Sequence, residues 1–209
     1  MAETVRVQIW SDVQCVWCYI GDARWREAIA QYDGAVELTY RSFELQPDFP
    51  IEFDAKKYLA SARGMDADSQ ARAFGEMRAV AAAVGLPYEP ERIRPTNSYL
   101  ALQLMHHAAV MGQDEPMRDR LFAAYFAEGR HIGTIDALTE LAAEAGLDAR
   151  RAHDALTAST YAVAVDADSA EAAALGVRGV PFAVLNGTYA VPGALETPQL
   201  VALLHNLRV

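Results

Sequence analysis

Cys15 and Cys18 are the two cysteines of the chain, and they stand three residues apart in Cys15-Val16-Trp17-Cys18. Two cysteines at i and i+3 in the first turn of a helix lie close enough for a disulfide, whose Cα atoms are about 4.4 to 6.8 Å apart. The first can then attack and the second resolve. A thiolate is the nucleophile, and a helix N-terminus offers partial positive charge and unpaired N–H groups, so Cys15 is expected to ionise below the ordinary thiol range. Cys18, one turn in, is expected to be more buried and less reactive. Two plainer readings compete with a redox dithiol. Buried cysteines can behave as small hydrophobes. A structural zinc site would need about four Cys or His ligands, and His106, His107, His131, His153 and His205 supply no second ligand pair at suitable spacing. The sequence therefore predicts no metal.

The elements that must position the dithiol can be read from periodicity. Val5 to Trp10 alternates as a strand, Cys15 to about Ala30 reads as a helix, and Val36 to Tyr40 alternates again. Phe43-Glu44-Leu45-Gln46-Pro47-Asp48-Phe49-Pro50 is punctuated as a loop, and beyond it the texture turns helical for about a hundred residues. Ser69–Val84, Ser98–Met111, Glu115–Ala127, Ile135–Ala145, Ala149–Leu156 and Thr160–Leu175 each carry apolar residues at spacings of three and four, with Thr134 and Asp148 as candidate N-caps. After Gly176 strands return: Phe182–Leu185, a turn at Asn186-Gly187, then Thr188–Val191, since Asn-Gly between apolar runs is the strongest short-range hairpin signal. Thr197 reads as the cap of a last helix to Leu207, with Pro198 at its first position. The order is β-α-β, helices, β-β-α.

Composition bounds the function. A chain of 209 residues with 52% hydrophobic content can bury a core of one large domain or of one domain carrying an insertion. Eighteen Lys plus Arg against 28 Asp plus Glu leave a formal charge of -10, which argues against a phosphate-binding surface and so against nucleic acid as a partner. No run approaches the 18 or so apolar residues that a membrane span requires, and Met1-Ala2-Glu3-Thr4 leads into a strand with no secretory leader pattern. A cytoplasmic location is expected, where a CxxC pair is catalytic, redox-sensing or metal-binding rather than a scaffold staple.

A β-α-β opening with CxxC at the start of its helix, closed by β-β-α, has the element order of a thioredoxin fold with a helical insertion. The run Ser11-Asp12-Val13-Gln14-Cys15-Val16-Trp17-Cys18-Tyr19-Ile20-Gly21 resembles the active-site signature of DsbA-like oxidoreductases of the FrnE type. Phe43-Glu44-Leu45-Gln46-Pro47, Thr96-Asn97-Ser98 and Gly176-Val177-Arg178-Gly179-Val180-Pro181-Phe182 are similar to the same subgroup. That subgroup is related to 2-hydroxychromene-2-carboxylate isomerase and the kappa-class glutathione transferases. The resemblance implies an α/β, thioredoxin-like fold with a large all-helical insertion. Its discontinuous thioredoxin-like domain would comprise residues 1–50 and 176–209, and the insertion residues 51–175, whose last helix (about 160–175) is placed against the thioredoxin core.

The resemblance implies a disulfide oxidoreductase with Cys15 and Cys18 catalytic and with Pro181 cis after Val180. The backbone at Val180 and Pro181 would bind the substrate chain, Trp17 and Tyr19 would form an apolar rim, and Asn97 would stabilise the start of its helix near the site or act as a plain N-cap. Glu44 reads as a solvated loop residue rather than a proton acceptor for Cys18. Trp10 and Trp25 are expected to pack the fold, and the insertion to supply a lid. The sequence departs from the subgroup at Val16, where proline is usual, and at Pro192, where serine is expected. No cofactor is required beyond the redox-active dithiol, with glutathione a candidate co-substrate and protein or small-molecule thiols and disulfides the expected partners. A glutathione-dependent isomerase or transferase is the nearest alternative; there a Ser, or a Cys without a partner, usually holds glutathione at the position of Cys15. A redox-sensing or chaperone-like binding protein is the other.

Overall fold

The computed structural model describes residues 4–51 and 67–207. The expected domain ends at 1–3 and 208–209 and the stretch 52–66 of the insertion lie outside the described residues. The chain divides into two compact units, one made of the residues up to Leu45 together with those from Val165, the other of Gln46–Ala164.

The first unit is built on a sheet ordered β2-β1-β3-β4. Strand β1 (Val5–Ser11) lies parallel to β2 (Val36–Ser42), with Val5 opposite Val36, and helix α1 (Val16–Gln31) makes the crossover between them. Strand β3 (Phe182–Leu185) runs antiparallel to β1, and β4 (Tyr189–Pro192) antiparallel to β3. The period-2 alternation of β1 has a direct consequence. Val5, Val7 and Ile9 pack on Trp25 and Ala28 of α1 and on Leu200 and Leu204 of the last helix, Thr197–Asn206. Trp10 points the other way, packs on Ala172 and Val177, and meets the ring of Phe182 edge-on with centroids 6.3 Å apart.

The second unit is helical among the described residues. It holds α2 (Ala67–Ala83), a 3-10 turn at Pro90–Arg92, α3 (Tyr99–Val110), α4 (Asp114–Phe122), α5 (Ile135–Glu144) and α6 (Ala149–Thr157). Helix α7 (Ala162–Ala174) starts in this unit and lies mostly in the first, so the division falls inside the helix rather than at Gly176. The last helix is α8.

Two expectations need correction. The helix expected over Glu115–Ala127 changes winding at Ala123, where a π-turn runs to Glu128 and stops at Gly129 with φ 68°. The apolar spacing hides the change of winding, and the stop itself is local: Gly129 is left-handed and the Arg130 amide donates back to the Ala124 carbonyl at 2.8 Å, while Arg120 pairs with Glu128 and, at 3.3 Å, with Glu144. The cap of α8 is Glu196 rather than Thr197, in a reciprocal capping box with Gln199. Thr197 instead donates its hydroxyl to Glu27 at 2.8 Å. Asp148 caps α6 as expected, accepting the Arg151 amide at 3.0 Å.

Candidate active site

Cys15 occupies the N-cap of α1 in an extended conformation, so its carbonyl is already in the helix and accepts the amides of Cys18 at 3.0 Å and Tyr19 at 3.1 Å. The turn that launches it is held by Asp12. The Asp12 carbonyl accepts the Cys15 amide at 3.0 Å, and its buried carboxylate accepts the amides of Gln14 at 3.1 Å and Leu45 at 2.8 Å. An aspartate accepting the amide two residues on is an Asx-turn. That local signal lies in Ser11-Asp12-Val13-Gln14.

Both thiols are buried, Cys15 at 7% and Cys18 at 2% exposure, and they are not joined in a disulfide. They differ sharply in ionisation. The side chain of Cys18 donates toward Cys15 and, with the helix-start amides of Cys18 and Trp17, holds the Cys15 thiol below its ordinary range against the opposing pull of burial and of Asp12. Burial, then the adjacent Cys15, pushes the Cys18 thiol well above its ordinary range. The arrangement therefore has one thiol poised to ionise and one held protonated.

Opposite the dithiol stands the start of β3. The Cys15 thiol contacts the Val180 carbonyl at 3.4 Å, and the Val180–Pro181 bond is cis. Pro181 is buried against α1 at Gly21, where a Cβ atom would come within 3.3 Å of its Cγ. Glycine at position 21 is what lets the thiol helix and the proline approach so closely. Cys15, Cys18, Val180 and Pro181 thus come together in one unit from opposite ends of the chain.

Trp17 is 41% exposed whereas Tyr19 is buried, so of the two it is Trp17 that offers its ring to solvent beside the dithiol. Asn97 belongs to the helical unit and stands one residue before the N-cap of α3, which is Ser98 rather than Asn97; its side chain accepts the Tyr99 amide at 2.8 Å and donates to the Pro47 carbonyl at 3.0 Å. Glu44 is half-buried, as is Val16 in the first turn of α1, and Pro192 is exposed on the edge strand β4. Trp10 and Trp25 are both buried in the sheet unit.

Against known proteins, a family model described as a DSBA-like thioredoxin domain matches residues 6–205. An uncharacterised protein of Bacillus subtilis, YwbO, is 30% identical over 164 residues, covering 76% of this chain and 74% of its own. A probable DsbA oxidoreductase from Streptomyces coelicolor superposes with a TM-score of 0.90 at 36% identity, over 97% of this chain and 89% of that one. Two solved structures share the fold at lower identity. One is the cytosolic disulfide reductase DsbM of Pseudomonas aeruginosa (TM-score 0.69, 20% identity, 96% and 97% covered), which has also been solved with GSH. The other is a 2-hydroxychromene-2-carboxylate isomerase (TM-score 0.71, 16% identity, 97% and 95% covered). No helix among the described residues is long and apolar enough to cross a membrane.

Proposed function

Because the chain belongs to the DSBA-like thioredoxin family, we propose that it is a thiol–disulfide oxidoreductase working through Cys15 and Cys18. The observation that carries this reading is the asymmetry of the pair: Cys15 lowered and set against the Val180 carbonyl, Cys18 buried and raised. The Cys15 thiolate attacks one sulfur of a substrate disulfide. A Cys15–substrate disulfide forms, and the other substrate sulfur leaves as a thiolate. Cys18 then gives up its proton and attacks Cys15, closing the intramolecular disulfide and releasing the second substrate thiol. Substrate gains two electrons and the protein loses two; run backwards, the same steps oxidise a dithiol. Once Cys15 is bonded to substrate its negative charge is gone, and one reason for the high Cys18 pKa goes with it.

In this reading the dithiol is itself the redox group, with no organic cofactor or metal. Extended substrates lie along the Val180–Pro181 edge with Trp17 beside them. Glutathione is the small-molecule thiol of choice, a reading supported by the GSH complex of DsbM, and the working compartment is the cytoplasm, as for that protein.

The test is the redox equilibrium of the pair in glutathione buffers, read by thiol alkylation and mass, with Cys15→Ser and Cys18→Ser alongside. Wild type should form a reversible intramolecular disulfide, Cys18→Ser should trap glutathione on Cys15, and Cys15→Ser should do neither. Absence of a disulfide at every poise would sink the proposal. Glutathione conjugation at wild-type level in Cys18→Ser would move the assignment to a glutathione-dependent isomerase or transferase.

A further inference from the structure

We propose that Arg24 is a positioning residue that latches the loop behind Pro181 to the thiol helix and so holds the Val180 carbonyl edge in register with Cys15 for extended peptide substrates. The inference rests on thiol–disulfide exchange being the activity of the site.

Arg24 sits in the middle of α1, one turn beyond Gly21, and its side chain is only 6% exposed. A buried guanidinium is costly unless its partners are well placed. Here they are both on the segment joining β4 to α8: Nη1 donates to the Ala194 carbonyl at 2.9 Å and Nη2 to the Glu196 carboxylate at 2.6 Å. The planar fork of arginine spans two acceptors in one geometry, which a lysine cannot. Glu196 is itself fixed, because it caps α8 and its own amide is held by Gln199 at 2.9 Å.

The next link leads to the proline. The Gly193 amide donates to the Pro181 carbonyl at 2.8 Å, and Gly193 has φ 78°, a conformation that glycine adopts without strain. A continuous path of hydrogen bonds and peptide units therefore runs from α1 through Ala194 and Gly193 to Pro181 and on to the Val180 carbonyl, 3.4 Å from the Cys15 thiol. Both ends of the path start on α1. Where Arg24 is removed, Ala194 and Pro181 meet α1 through apolar contact at Gly21, and a polar tie that remains is the Thr197–Glu27 hydrogen bond at the start of α8, beyond the Ala194 carbonyl that Arg24 holds.

The consequence depends on substrate. An extended peptide must place its sulfur at Cys15 and its backbone at Val180 together, whereas a compact disulfide needs only the thiolate. Loss of the latch should therefore be selective. The experiment compares kcat/KM for a disulfide-bonded peptide and for bis(2-hydroxyethyl) disulfide in wild type, Arg24→Met, Arg24→Lys and Glu196→Gln, with amide hydrogen exchange at Gly193. Arg24→Met should lose about tenfold on the peptide while staying within about twofold on the compact disulfide, because small displacements penalise aligned reactants steeply. Its Gly193 amide should exchange faster. Arg24→Lys, which keeps the charge and one donor, should recover part of the peptide rate. Should Arg24→Met fail to fold, Glu196→Gln, which keeps an acceptor at the α8 cap, should show the same selectivity at smaller size. Equal losses on both substrates, or unchanged peptide rate with unchanged Gly193 exchange, would overturn the latch. Wild type inert on both substrates would instead remove the proposed activity, and Gly193 exchange in Arg24→Met would still decide the latch.

Discussion

Cys15 and Cys18 lie one helical turn apart and are both buried, yet their protons are held with opposite strength. The lowered thiol of Cys15 owes most to the Cys18 side chain, while the raised thiol of Cys18 owes most to burial. The pH dependence follows by sign. Cys15 is expected to be alkylated by iodoacetamide with a midpoint below the roughly 8.5 of a free cysteine, and Cys18 to stay unmodified across that range, as peptide mapping after a pH series would show. A midpoint at or above the free value would contradict the geometry. Linkage runs the same way: the Cys15 thiolate adds stability above the unfolded thiol pKa, and that contribution fades as pH falls through its lower folded value. Cys18 acts in the opposite sense, penalising the folded state as pH rises through the ordinary thiol range. Legibility differs at this scale. The dithiol and the Val180–Pro181 pair could be found from spacing and resemblance. Asp12 carries a local turn signal in its bond to the Gln14 amide, whereas Arg24 has none, because a base inside a helix reads as solvated until its tertiary partners are known.

Among the elements, α1 is packed on two sides, since one face buries Trp25 and Ala28 on the sheet while Gly21 meets Pro181. Glycine inside a helix costs about 1 kcal/mol relative to alanine, so its place here answers to packing. Gly21→Val is expected to destabilise by about 2 kcal/mol through overpacking, measured by urea unfolding, and to slow exchange with a peptide disulfide in the surviving folded fraction. Stability at or above wild type with full activity would show that Pro181 has room to yield. The strands and most helices were legible because their periods of two and 3.6 are written in apolar spacing. The π-turn at Ala123–Glu128 and the Glu196 cap were not, since the rewinding leaves the apolar spacing of the helix unbroken and a glutamate is a weaker N-cap signal than the Thr197 beside it.

At the scale of the whole molecule, the sheet unit must be closed by chain that returns after the helical unit, and α7 makes that closure. The Asp168 carboxylate accepts the buried Ser42 amide at 2.8 Å and the Arg41 guanidinium at 3.2 Å, and its carbonyl accepts the Trp10 indole at 3.0 Å. Asp168→Ala leaves the Ser42 amide without its acceptor and should cost about 2 kcal/mol, seen as a lower urea midpoint at unchanged m-value; a neutral substitution would mean that the closure is made elsewhere. The same topology orders events during synthesis. Cys15 and the Val180 carbonyl it touches are 165 residues apart, so at about 5 to 20 residues per second the ribosome takes about 8 to 33 s to make one after the other. For that interval the nascent chain carries the two thiols without the start of β3, and the contact between Cys15 and Val180 can form only once both have been made.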